Sequence, residues 1–202
     1  MIRAVIFDLN GVFIKSPLLS ERFEAEFGIP PEKFLPALRE IMEKVRRPDA
    51  GDAFRYWEKY LKKEWKLNLS KKQFFDFWFN AEKESKEMIR VARELKAKNI
   101  RLFILSNNFM ERADYYEDNF RFLDELFDKI YYSWQTGFVK PDTRAFKKVL
   151  SDNNLKAKEC VYVDNQKGNI DSAKRLGMRT ILFTNFKGAE AKLKNITASR
   201  TC

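Results

Sequence analysis

Four places in this 202-residue chain put chemically competent side chains just beyond a short apolar run. Asp8, Asn10 and Gly11 follow "IRAVIF", Ser106 and Asn107 follow "IRLFIL", Lys140 lies a few residues beyond "KIYYSW", and Asp164 and Asn165 follow "CVYV". A carboxylate such as Asp8 can attack an electrophilic centre and split one displacement into two. Ser106 and Asn107 bring a hydroxyl and an amide to a loop whose backbone N–H groups can cradle phosphoryl oxygens. Lys140 brings a fixed cation that offsets repulsion between Asp8 and an anionic substrate, with Pro141 stiffening the turn behind it. Asp8 and Asp164 together offer the oxygen ligands that magnesium prefers. Singly, an Asp or Ser at a strand end is more often a helix cap or turn residue; the ordered set of four is what points to a site. There is no histidine. Histidine triads, imidazole zinc sites and histidine general bases are excluded, and acid-base chemistry falls to carboxylates, lysine, tyrosine or cysteine.

For these residues to meet, the runs that precede them must be neighbouring parallel strands. "RTILF" at 179–183 is a fifth such run, and helical patterns such as "KEMIRVARELKAKN" and "NIDSAKRLG" separate them. The alternation predicts an α/β fold with a doubly wound parallel sheet, in which ligands bind beyond the carboxyl ends of the strands. From Ser16 to Ser85 the rhythm stops. That stretch holds no convincing strand and reads as several aromatic-rich amphipathic helices. It predicts a separate helical bundle over 16–85 inserted into a core made of 1–15 and 86–202, joined to it near Lys15 and Lys86. Phe74, Phe75, Phe77, Trp78 and Phe79 are too dense for one helical stripe, so this surface should pack against both its own bundle and the core.

The net charge of +10 favours anionic partners. The basic residues sit singly along helical patterns instead of in one block, so a small anionic substrate is expected and nucleic acid is not. Only Cys160 and Cys202 are available, which gives no disulfide framework and suits a reduced compartment. Cys160 heads the apolar run "CVYV" and is expected in the core. The N-terminal run stops at an aspartate, unlike a signal peptide or membrane span. A cytoplasmic protein, monomeric or homodimeric, is the expectation.

The segments "IFDLNGV", "LFILSNN", "GFVKPD" and "VYVDNQKGNIDSAKRLGM" resemble the four signatures of the haloacid dehalogenase-like superfamily, and the resemblance spans essentially the whole chain. It implies a doubly wound core, a lid-like helical cap, and usually magnesium-dependent hydrolysis of a phosphate ester through an aspartyl-phosphate. On that reading Asp8, Asn10 and Lys140 are catalytic, Ser106, Asn107 and Gly11 surround the substrate, and Asp8, Asn10, Asp164 and Asn165 supply the metal side.

Two positions depart from the family pattern. Phosphatases carry a second aspartate where this chain has Asn10, and usually a further acid where it has Asn165. The first change removes a general acid that contributes ~10²–10⁴-fold; the second leaves a neutral carbonyl where an anionic metal ligand is usual, so magnesium binding is expected to be weak or absent. Two carboxylates and one lysine carry about the same net charge, −1, as four carboxylates, a lysine and a bound divalent ion. Three readings stay open: a weakened phosphatase, a catalytically degenerate member that binds an anion, or a metal-independent dehalogenase. Asn10-Gly11 is also a common turn dipeptide. Arg39, Arg46, Arg47, Arg55 and Lys59 are the basic cap residues from which substrate contacts would be drawn.

Overall fold

A computed structural model describes residues 1–198; Cys202 lies outside the described residues. Five parallel strands form the central sheet: β1 (Ala4–Phe7), β4 (Arg101–Ser106), β5 (Lys129–Tyr132), β6 (Cys160–Asp164) and β7 (Arg179–Leu182), in the order β5-β4-β1-β6-β7. Residues of β1, β4 and β6 are almost wholly buried, as expected of strands covered on both faces. Alternate side chains serve opposite faces. Val5, Phe7, Leu102, Ile104, Val161 and Val163 pack beneath α5 (Lys86–Ala97), α6 (Met110–Asn119), α7 (Phe122–Leu126) and α11 (Phe186–Ala198). Ala4, Ile6, Phe103, Leu105, Cys160 and Tyr162 pack against α9 (Thr143–Asp152) and α10 (Lys167–Arg175). Helices thus cover both faces. Cys160 is buried, and burial pushes its thiol up to about 12.

The segment 16–85 folds differently. It forms α1 (Leu19–Phe27), α2 (Pro31–Val45), α3 (Phe54–Glu58) continued by a π-helical turn (Lys59–Glu64), and α4 (Lys71–Phe79). The α4 start is a full capping box of Ser70 and Gln73. These helices enclose a separate aromatic core in which Phe23, Phe34, Trp57 and Phe74 are completely buried. The same core takes in Phe75, Trp78 and Phe79 and extends through them to Phe109, on the loop after β4, with ring centroids 5.5–6.1 Å apart.

The expectation of no strand in this segment is corrected at its end. Lys83–Glu84 forms a short strand, β3, antiparallel to β2 (Ile14–Lys15). The two make a ribbon of their own, outside the central sheet, and join the chain entering the helical segment to the chain leaving it. Two residues are too few to show a period in the sequence. "KIYYSW" is likewise shorter as a strand than expected: pairing ends at Tyr132, and α8 (Ser133–Thr136) begins at once. Among the described residues no helix is long and apolar enough to cross a membrane.

Candidate active site

Strand β1 lies at the centre of the sheet, with β4 on one side and β6 on the other. Phe7 is in register with Ile104 and Val163, so Asp8 and Asp164 come next at one level, β4 runs two residues past Ile104 to Ser106, and the residues beyond these ends share one crevice. Asp8 follows β1 directly, its backbone N–H donating to Val163 O at 2.8 Å. Asp164 ends β6 and is completely buried.

Lys140 joins the two carboxylates. Its ammonium donates to Asp8 Oδ1 and Asp164 Oδ2 at 2.9 Å each, and to the Tyr162 hydroxyl at 3.0 Å. Its three protons are thereby assigned. The Lys140 loop comes from beyond β5, at the edge of the sheet, and Asn107 fixes it reciprocally: Asn107 Nδ2 donates to Lys140 O and Lys140 N donates to Asn107 Oδ1, both at 2.8 Å. Asp164 is held as firmly. Its Oδ1 accepts from Gln166 N at 2.7 Å, and its Oδ2 also accepts from Asn169 Nδ2 at 2.9 Å and from Tyr162. Burial pushes the Asp8 carboxyl above the ordinary carboxylate range; Lys140 opposes this and the Asp164 charge adds to it.

Asn10 stands beside Asp8 in a tight turn. Gly11 N–H donates to Ile14 O, and the N–H groups of Val12, Phe13 and Ile14 converge on Leu9 O. Gly11 has φ +84°, and a Cβ there would lie 2.2 Å from Asn165 Nδ2. Only glycine satisfies both demands, so Gly11 lets the loops after β1 and β6 approach each other. Asn10 Nδ2 donates to the Tyr116 hydroxyl at 2.6 Å, leaving Asn10 Oδ1 buried without a partner. The Arg112 guanidinium lies 5.4 Å from the centroid of the Tyr116 ring, and Arg112 and Glu82 are the charges that the Tyr116 hydroxyl feels. Glu82 is buried, paired with Arg112, and accepts from Ser16 Oγ at 2.8 Å. A polar chain therefore runs from Asn10 through Tyr116 to both sides of the β2–β3 ribbon.

A cavity of about 450 Å³ opens over these groups, lined by Asp8, Asn10, Asn107, Lys140, Asn165 and, from the end of α2, Arg46. Of the expected site residues, Ser106, Gly11 and Asp164 do not line it; Asp164 is completely buried behind Lys140. Ser106 is buried with its hydroxyl unpartnered, and Gly11 serves the turn. Of the five basic cap candidates, Arg46 alone reaches this cavity. Tyr162, Asn169, Tyr116, Glu82 and Arg112 were not anticipated from the sequence. Tyr162 had a signal, because two residues before Asp164 in one strand means the same face; the others are brought in by tertiary packing.

Among the described residues no three His, Cys, Asp or Glu side chains come together to hold a metal. The donors present are the Asp8 and Asp164 carboxylates and the orphaned Asn10 Oδ1. All are hard oxygens, a set that fits magnesium completed by water and phosphate oxygens, with only two anionic ligands to hold it.

The family pattern described as haloacid dehalogenase-like hydrolase matches residues 5–183. Among known proteins, the chain is 29% identical over 136 residues to the bifunctional epoxide hydrolase 2 of Rattus norvegicus; the match covers 66% of this chain and 24% of that relative's length. A HAD-like family hydrolase from Porphyromonas gingivalis has a similar structure, with a TM-score of 0.73 at 27% identity over 96% of this chain and 98% of that one. A HAD family enzyme from Bacteroides thetaiotaomicron, solved with magnesium and inorganic phosphate, has a TM-score of 0.76 at 19% identity, covering 90% of this chain and 93% of that one. With the pattern covering the strand ends that carry Asp8, Lys140 and Asp164, the chain belongs to the haloacid dehalogenase-like hydrolases.

Proposed function

We propose that this chain is a phosphatase-type hydrolase that acts on a small phosphate ester through an aspartyl-phosphate on Asp8, with turnover weakened by Asn10 and Asn165. The observation that carries the reading is Lys140 Nζ at 2.9 Å from both Asp8 Oδ1 and Asp164 Oδ2 at the floor of the cavity. A cation so placed stabilises charge on a phosphoryl group in contact with the nucleophile. The structure from Bacteroides thetaiotaomicron, of the same fold, holds magnesium and inorganic phosphate, which supports an oxyanion as the ligand here.

In the first step an Asp8 carboxylate oxygen attacks phosphorus; the new O–P bond forms as the ester O–P bond breaks, and the alkoxide takes a proton from water. In the second, water attacks phosphorus, the bond to Asp8 breaks, inorganic phosphate leaves and the water proton passes to solvent. Asn10 can orient the leaving oxygen or the water through its amide, but it neither gives nor takes the proton. Asn107 and Tyr162 hold Lys140 in place throughout. Magnesium, when bound by Asp8 and Asp164 with the carbonyl of Asn10 or Asn165, supplies further charge neutralisation on the phosphoryl oxygens.

The test is turnover of an aryl phosphate by the purified protein, with and without magnesium. Slow release of inorganic phosphate that vanishes in Asp8→Asn is the expected result. Halide release from a haloacid without metal would replace this reading with the dehalogenase one, and binding of inorganic phosphate without turnover would leave an anion-binding member.

A further inference from the structure

Two cavities meet at one side chain. Arg46, at the end of α2, lines the catalytic cavity and also a neighbouring groove of about 370 Å³ that includes Leu35, Leu38 and Met42. It is half-buried, and its Nε is buried with no hydrogen-bond partner; Glu43 and Arg39 also line the neighbouring groove, but Glu43 forms no ion pair with Arg46. No described residue forms an ion pair with it. The other cations of this region are matched, Lys140 by Asp8 and Asp164, and Arg112 by Glu82. Burial and the positive charge of Arg112 lower Arg46 to about 10, against a pull from Asp8; it remains a cation at neutral pH, partly desolvated, with no counter-ion of its own.

The cavity wall agrees with this. Besides Asp8, Lys140 and Arg46 it presents amides at Asn10, Asn107, Asn165, Gln166 and Asn169, and no further carboxylate. Amides do not repel an anion as carboxylates would, and a guanidinium is a planar fork suited to a carboxylate or a phosphate.

We infer that Arg46 receives a second oxyanion of the substrate: the ester carries, besides the phosphoryl group at Asp8, a carboxylate or a further phosphate that docks on the Arg46 guanidinium. This rests on the phosphoryl reading of the Asp8 end, and it names the substrate class as a doubly anionic phosphate ester.

The experiment is titration calorimetry on the full chain without metal. Phosphonoacetate and 3-phosphonopropionate probe a carboxylate, methylenediphosphonate probes a phosphate, and ethyl- and propylphosphonate are references lacking the second anion. The parent should bind at least one doubly anionic ligand about tenfold or more tighter than its reference. The arm with the larger ratio identifies the natural group. Arg46→Gln should abolish the ratio, and Arg46→Lys should keep part of it, as charge without the fork; thermal unfolding confirms that each variant folds, and the lysine variant carries the test should the glutamine variant fail to fold. Equal binding of all ligands by the parent overturns the inference. So does an undiminished ratio in the variants, including the case where every ligand weakens alike, because Arg46 would then serve the phosphoryl end alone. Failure of the hydrolase reading is separate: it shows as absent aryl phosphate turnover, even in Asn10→Asp/Asn165→Asp, whatever the binding ratio.

Discussion

All three protons of the Lys140 ammonium are engaged before any substrate arrives, by Asp8, Asp164 and Tyr162. Lys140→Met therefore leaves two buried carboxylates facing each other, and should lower stability by about 3–5 kcal/mol in urea unfolding as well as removing activity. Adding Asp8→Asn should recover part of the stability but none of the turnover. The raised Asp8 carboxyl has its own consequence for pH. Because the folded state holds that proton more tightly than the unfolded chain, Asp8 opposes folding at neutral pH and is relieved as pH falls through its raised value. Asp8→Asn should thus unfold no earlier than the parent at pH 7. In metal-free protein the ¹³C shift of the Asp8 carboxyl should titrate above the ordinary carboxylate range, and further above it in Lys140→Met, since Lys140 opposes the rise. On the proposed phosphatase reading, Asn10 bears on the second chemical step. With no group to take the proton of the attacking water, the aspartyl-phosphate should accumulate and give a burst of product. Asn10→Asp should remove the burst and raise turnover by ~10² or more. Asn165→Asp should increase it further only with magnesium present, because each added carboxylate needs the ion to balance it.

At the scale of elements, β1, β4 and β6 were legible because a buried parallel strand is a continuous apolar run and its polar stop marks the crevice. Asp8, Lys140 and Asp164 could be placed in the site for that reason. The β2–β3 ribbon and the chain from Asn10 to Glu82 could not. Ser16, Glu82, Arg112 and Tyr116 are scattered polar residues until packing brings them together, and no local period encodes their meeting. Glu82→Gln would leave the half-buried Arg112 without its carboxylate, and should destabilise the protein by about 1–3 kcal/mol. The turn after β1 was half-legible: Asn-Gly signals a positive-φ turn, but the contact of Gly11 with Asn165 lies across the fold. Gly11→Ala should lower stability by about 1–3 kcal/mol through backbone strain, measured by thermal unfolding. Trimming the contact with Asn165→Ala should relieve the clash and leave the strain.

At the scale of the whole molecule, the helical segment has an aromatic core of its own, which supports the proposal that it is a cap hinged where β2 and β3 pair. Sequence patterning showed that core as a density of rings from Phe74 to Phe79; which of them would meet a ring from outside the segment was hidden, because the partner, Phe109, is thirty residues beyond Phe79. Phe109 is 1% exposed, with its ring seated among Phe75, Trp78 and Phe79. The loop that bears it also bears Asn107, which grips Lys140. A cap with this ring in it behaves as a latch: swinging open requires extraction of a phenyl group from its socket, which costs about 1.5–3 kcal/mol of apolar burial. Opening of such a cap should then be an all-or-none release whose frequency falls with the depth of the socket, and it should disturb the loop that carries Asn107 and, through it, Lys140.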